Sequence, residues 1–111
     1  MIEVTSTRQF TEQAITASHH AAVVVLFGAP WCGPCKSYKP LLARLCDERG
    51  VKLYYVDADA LRELAGLYGV RAVPTTVVLK GGGELGRQSG GLAEAAVKHL
   101  FAKHGVPMLE F

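Results

Sequence analysis

The chain has 111 residues, 50% of them hydrophobic and 20% charged, and a formal net charge of +2. That length holds one domain and one core, so a single domain over residues 1–111 is expected. So small a charge, with no basic run, gives no case for nucleic acid or an anionic membrane as partner. No cationic flank or leader-length apolar stretch follows Met1, and the chain reads as unprocessed and cytoplasmic. The longest apolar run, Ala21 to Phe27, is too short to cross a bilayer. Three cysteines in such a chain argue against a structural disulfide framework. A CxxC pair with one cysteine left over points to metal binding or redox chemistry.

Ile2 to Val4 is a candidate short strand. Thr7 to Ala17 reads as a helix with Ser6 as N-cap and Phe10, Ala14 and Ile15 on one face. Ala21 to Phe27 is apolar at every position, the pattern of a strand covered on both faces in the middle of a sheet. The next helix opens around Cys32 and runs to Arg49, with Gly50 as its C′ residue. Its stripe is Tyr38, Leu41, Leu42, Leu45 and Cys46, and Pro40 inside it predicts a kink. Lys52 to Val56 is a second core strand. Asp59 is placed as the cap of a short helix, Ala60 to Tyr68, which shows Leu61, Leu64, Ala65 and Tyr68 to the core and stops at Gly69. Thr75 to Leu79 is a third core strand, Gly81-Gly82-Gly83 a turn, and Glu84 to Ser89 a weaker strand closing a hairpin. Leu92 to Lys103 is the last helix, with Lys103 and His104 at its negative end and Gly105 beyond. The order β-α-β-α-β-α-β-β-α predicts an α/β fold, a central mixed sheet of about five strands flanked by about four helices.

The candidate chemistry lies in Trp31-Cys32-Gly33-Pro34-Cys35-Lys36. This run follows a buried strand and opens a helix, where free backbone N–H groups and the helix dipole stabilise a thiolate at Cys32. A cysteine so placed becomes reactive near neutral pH. Two intervening residues on a first helical turn bring the two sulfurs within bridging distance. Pro34 suits that turn because its missing N–H costs nothing there. Downstream, Val73-Pro74-Thr75 stands at the entry of a core strand and is a candidate cis peptide. A zinc site is the competing reading of the CxxC, but zinc needs four ligands, and the sequence offers neither a second CxxC nor a suitable His pair.

Ala29-Pro30-Trp31-Cys32-Gly33-Pro34-Cys35-Lys36, with Val73-Pro74-Thr75 downstream and Gly90 after the hairpin, resembles the thioredoxin family from Ile2 to about His104. The resemblance implies the thioredoxin fold and a protein disulfide oxidoreductase that reduces disulfides of protein substrates. It implies Cys32 as the exposed nucleophile and Cys35 as the buried resolving thiol, with Pro74 in the cis form against the disulfide. Trp31, Gly33, Pro34, Val73 and Gly90 would dock substrate around Cys32, the backbone of Val73 pairing with the substrate strand. No bound cofactor or metal is implied beyond the Cys32–Cys35 disulfide. An NADPH-dependent flavin reductase would recycle the oxidised form. A monomer is expected. The alternative is a thioredoxin-fold binding subunit that docks a partner without redox turnover, against which both cysteines speak.

Two departures from the family stand out. Where thioredoxins carry a buried Asp six residues before the nucleophile, this chain has Leu26, and where they often carry a nearby Lys, the matching position is Tyr55. The two losses are coherent, because a buried Lys without its acid is costly. Losing the carboxylate favours the Cys32 thiolate and removes the evident base for Cys35. Gly28 stands where the family commonly has Trp, so a less bulky surface is expected beside Cys32. Cys46, on an apolar stripe, reads as an inert buried thiol. The apolar tail, Val106 to Phe111, is expected to pack back on the domain, with contact to a partner as the alternative.

Overall fold

The computed structural model describes residues 1–107. Five strands form one sheet: β1 (Ile2–Glu3), β2 (Val23–Gly28), β3 (Leu53–Asp57), β4 (Thr75–Lys80) and β5 (Gly83–Ser89), in the spatial order β1-β3-β2-β4-β5. The β1–β3 and β3–β2 pairs are parallel, and β4 runs antiparallel to both β2 and β5. The apolar run therefore forms the central strand, as its lack of alternation predicts. Because side chains alternate across a strand, Val24 and Leu26 face one side while Val23, Val25 and Phe27 face the other.

Each face is covered by two helices. The first, α1, spans 7–18 and passes from α-helical Thr7–Phe10 through a π-helical stretch, Thr11–Ile15, to Thr16–Ser18. Ser6 caps it, accepting the N–H of Gln9 at 3.0 Å. Phe10 and Ala14 of α1 pack with Leu64 and Ala65 of α3 (Arg62–Leu67) against Val23, Val25, Phe27, Tyr54, Val56, Val77 and Leu79. On the other face, α2 (Gly33–Glu48) contributes Tyr38, Leu42, Leu45 and Cys46, and α4 (Glu94–Lys103) contributes Val97, Leu100 and Phe101. Leu41 of the expected stripe is half-buried at its edge. Phe27, Phe101, Leu26, Leu42 and Leu45 are fully buried, each contributing about 1.5–3 kcal/mol of apolar burial.

The helix ends follow one rule. Past α2, Gly50 takes φ +66°, its N–H bonds Asp47 O at 3.1 Å, and Val51 N–H bonds Cys46 O at 2.9 Å. Only a residue free of Cβ strain turns there without penalty, and the following Val packs back beside Cys46. Gly69-Val70 and Gly105-Val106 repeat the same bonds after α3 and α4. Val106 is buried, while the rest of the expected tail packing, at 108–111, lies outside the described residues.

Several boundaries differ from expectation. The cap of the β3–α3 turn is Asp57, whose Oδ1 accepts the N–H groups of Asp59 (2.9 Å) and Ala60 (3.2 Å), so α3 begins only at Arg62 and Asp59 is left free. The last helix begins at Glu94, with no side-chain cap at Ala93. Lys80 pairs with Gly83, so Gly81 and Gly82, both at positive φ, form a two-residue turn whose twist matches the strands. No helix among the described residues is long and apolar enough to cross a membrane.

Candidate active site

The carboxyl end of β2 delivers the chain through Ala29 and Pro30 to the start of α2. Cys32 is the N-cap of that helix, with extended backbone, and its Sγ accepts the N–H of Cys35 at 3.2 Å. Pro34 occupies the first turn, where it removes no needed donor. The helix is sixteen residues long in all and runs through the exposed Pro40 to Glu48. Its dipole thus ends at the sulfur of Cys32.

Cys32 and Cys35 are joined by a disulfide, with their Cα atoms 5.3 Å apart. Among the described residues no group of three or more His, Cys, Asp or Glu is gathered to hold a metal. The expectation of an exposed Cys32 is corrected here: Cys32 is 3% exposed and Cys35 4%. The two bridged cysteines form a small apolar cluster with Ala29, against which Val73 packs.

Around the disulfide, three loops meet. The Val73–Pro74 bond is cis, Pro74 is buried, and its carbonyl accepts the N–H of Gly90 at 2.8 Å. Gly90 holds φ +90°, which ties the loop after β5 to the loop before β4. Next to it, a Cβ on Gly91 would lie 3.8 Å from both Pro34 and Tyr38. Gly33 and Pro34 are exposed. Trp31 is 68% exposed, and its indole Nε1–H donates to Asp59 Oδ2 across 28 residues. The released Asp59 is thus a site residue that sequence reasoning mistook for a cap. Val73 packs against the CxxC and shares a groove with Trp31, and Pro74 is bonded to Gly90.

Behind the disulfide the departures form one assembly. Leu26, fully buried, stands directly opposite Tyr55 on β3 and Thr76 on β4. Thr76 and Tyr38 share a buried hydroxyl–hydroxyl bond of 2.6 Å, and burial pushes the Tyr38 phenol above its usual range. The ring of Tyr55 lies over Gly28, where a Cβ would come within 2.9 Å of its Cε2 and Oη. Lys39 Nζ sits 3.7 Å from the centroid of that ring and 3.6 Å from Glu3 Oε1. The surface expected to be less bulky at Gly28 is therefore filled by Tyr55 from the neighbouring strand. Burial holds the Cys46 thiol at about 12, in keeping with an inert core position.

A βαβ unit joined to a β-hairpin and helix, with a bridged CxxC at a helix N-terminus beside a cis-proline loop, defines a thiol–disulfide oxidoreductase of thioredoxin fold. Comparison with known proteins agrees. The thioredoxin family model matches residues 1–103. Thioredoxin from Bacillus subtilis is 40% identical over 97 residues, covering 85% of this chain and 93% of that protein. Thioredoxin from Mus musculus is 35% identical over 91 residues, covering 81% and 87%. The X-ray structure of Fasciola hepatica thioredoxin superposes with a TM-score of 0.85 at 33% identity, covering 94% of this chain and 99% of that one. The chain belongs to the thioredoxin family, and it is a protein disulfide oxidoreductase.

Proposed function

We propose that the chain acts as a single-domain, monomeric reductase of protein disulfides, with Cys32 as nucleophile and Cys35 as resolving thiol. The carrying observation is the Cys32–Cys35 bridge at the α2 N-terminus, under the Val73–Pro74 loop. In the reduced form the Cys32 thiolate attacks one sulfur of a substrate disulfide, forms a mixed disulfide and expels the other sulfur as a thiolate. Cys35 then gives up its proton and attacks Cys32 Sγ. The second substrate sulfur leaves as a thiol, and the bridge seen here is the product.

Trp31, Gly33, Pro34, Val73, Pro74 and Gly90 form the docking rim, and the backbone of Val73 is available to pair with an extended substrate strand. With Leu26 in place of an acid, the proton of Cys35 passes to water or to the departing substrate thiolate, and resolution is correspondingly slow. An NADPH-dependent flavin reductase restores the dithiol. A cytoplasmic setting suits an exchanging CxxC accompanied by a free Cys46. The assignment of the two roles is tested by trapping. Cys35→Ser accumulates a mixed disulfide with a disulfide-bonded protein, whereas Cys32→Ser accumulates none. The reverse pattern exchanges the two roles.

A further inference from the structure

A groove of about 320 Å³ runs from Trp31 and Val73 along α3, floored by Ala58, Ala65 and Val70. It is small for a ligand site and continuous with the rim of the disulfide. Two arginines line it, Arg62 from α3 and Arg71 from the loop before Pro74. Both are exposed, and among the described residues neither meets a carboxylate in an ion pair.

The lining holds one acid against two arginines. Asp59, the one acid in the lining, accepts the Trp31 indole N–H, and Asp57 is folded onto two backbone N–H groups. Glu63, the neighbour of Arg62, does not line the groove. Arg71 lies two residues before Val73, a backbone reach of at most about 7 Å. Val73 lines the same groove as both arginines, so a substrate strand paired with Val73 would lie along the wall that carries them. A guanidinium presents a planar fork that matches a carboxylate.

Resting on the reductase reading of this site, we propose that Arg62 and Arg71 select disulfides flanked by Asp or Glu within about two or three residues of the attacked cysteine. Exposed ion pairs are individually weak, and two acting together give about a fivefold preference. Screening removes most of it at high salt.

The test compares two disulfide-bonded peptides differing only in Glu or Gln beside the cysteines, with dithiothreitol as electron donor and its direct reduction subtracted. The ratio of kcat/KM for the Glu and Gln peptides is expected to be about five at low salt. It is expected to fall to about one in Arg62→Gln/Arg71→Gln and to drop below one in Arg62→Glu/Arg71→Glu. Each ratio is taken within one variant, so partial loss of folded protein cancels. Equal reduction of both peptides by the parent protein overturns the selectivity and leaves the reductase reading standing. A ratio above one that survives both double variants places the preference elsewhere and also overturns it. Reduction of neither peptide overturns the reductase reading, and the selectivity with it.

Discussion

Gly28→Ala adds one methyl group at the end of β2, four residues before Cys32. On the present backbone that Cβ lies 2.9 Å from Tyr55 Cε2, 2.9 Å from its Oη and 3.3 Å from its Cζ. Ordinary contact begins near 3.4 Å, so the ring must retreat by about half an ångström or more. It has little room to do so. Tyr55 is 8% exposed, paired between Leu26 and β1, and Lys39 closes over its outer face. Overpacking of this kind costs about 1–3 kcal/mol.

Gly28 itself has no positive φ, so alanine brings no backbone strain. Once the ring is gone the sign should reverse: in a Tyr55→Ala background, Gly28→Ala is neutral or stabilises by up to about 1 kcal/mol, because it removes unfolded-state freedom. Urea unfolding of the oxidised protein measures all four corners of the cycle. Gly28→Ala alone should lower the midpoint by about 0.5–2 M at an m-value of ordinary size. The coupling energy should exceed about 1 kcal/mol. Additive effects, or a harmless Gly28→Ala in the parent protein, refute the claim that Tyr55 fills the place left by the missing large side chain.

Leu26→Asp should cost more than about 3 kcal/mol, since it loses a fully buried Leu and buries a carboxyl without a charge partner. Burial raises that carboxyl's pKa, so resolution of the mixed disulfide should accelerate as pH rises through it; stopped-flow traces no faster than the parent's would contradict the account of a missing base. In the oxidised protein Cys46 is the free thiol, and a thiol-specific label should enter it only after unfolding, so labelling of the native form would contradict its burial. Burial raises the pKa of Cys46 to about 12 and also raises those of Tyr38, Tyr54, Tyr55 and Tyr68. The native state therefore holds protons that the unfolded chain releases at lower pH. Stability should be intact below about pH 8 and fall steadily toward pH 12, and a urea midpoint that rises over that range would reverse the sign of the argument.

Much of this architecture can be read from residue order because the punctuation is local. Gly50, Gly69 and Gly105, each followed by Val, mark three helix ends with the same hydrogen bonds. The unbroken apolar run of β2 declares a strand covered on both faces, and the redox pair is confined to four consecutive residues. What escaped reading depends on contacts across the chain. Asp57 and Asp59 are chemically equivalent candidates for one cap, and only the emergence of β3 decides that Asp57 faces the turn while Asp59 reaches Trp31. The occupation of the space above Gly28 follows from the β2–β3 register, which sets Leu26 against Tyr55. The low exposure of Cys32 comes from its packing with Cys35 and Ala29 and from Val73, which is 41 positions away in the chain. The pairing of Tyr38 with Thr76 joins residues 38 positions apart and has no local signature.

Dithiothreitol-driven reduction of insulin disulfides tests the central claim most directly, with Cys35→Ser run beside the parent protein. Sustained turnover that the variant loses is the predicted result, and it would show that exchange proceeds with Leu26 in place of the acid. Background-level turnover from folded parent protein would contradict the reductase reading and favour a binding subunit built on the same fold.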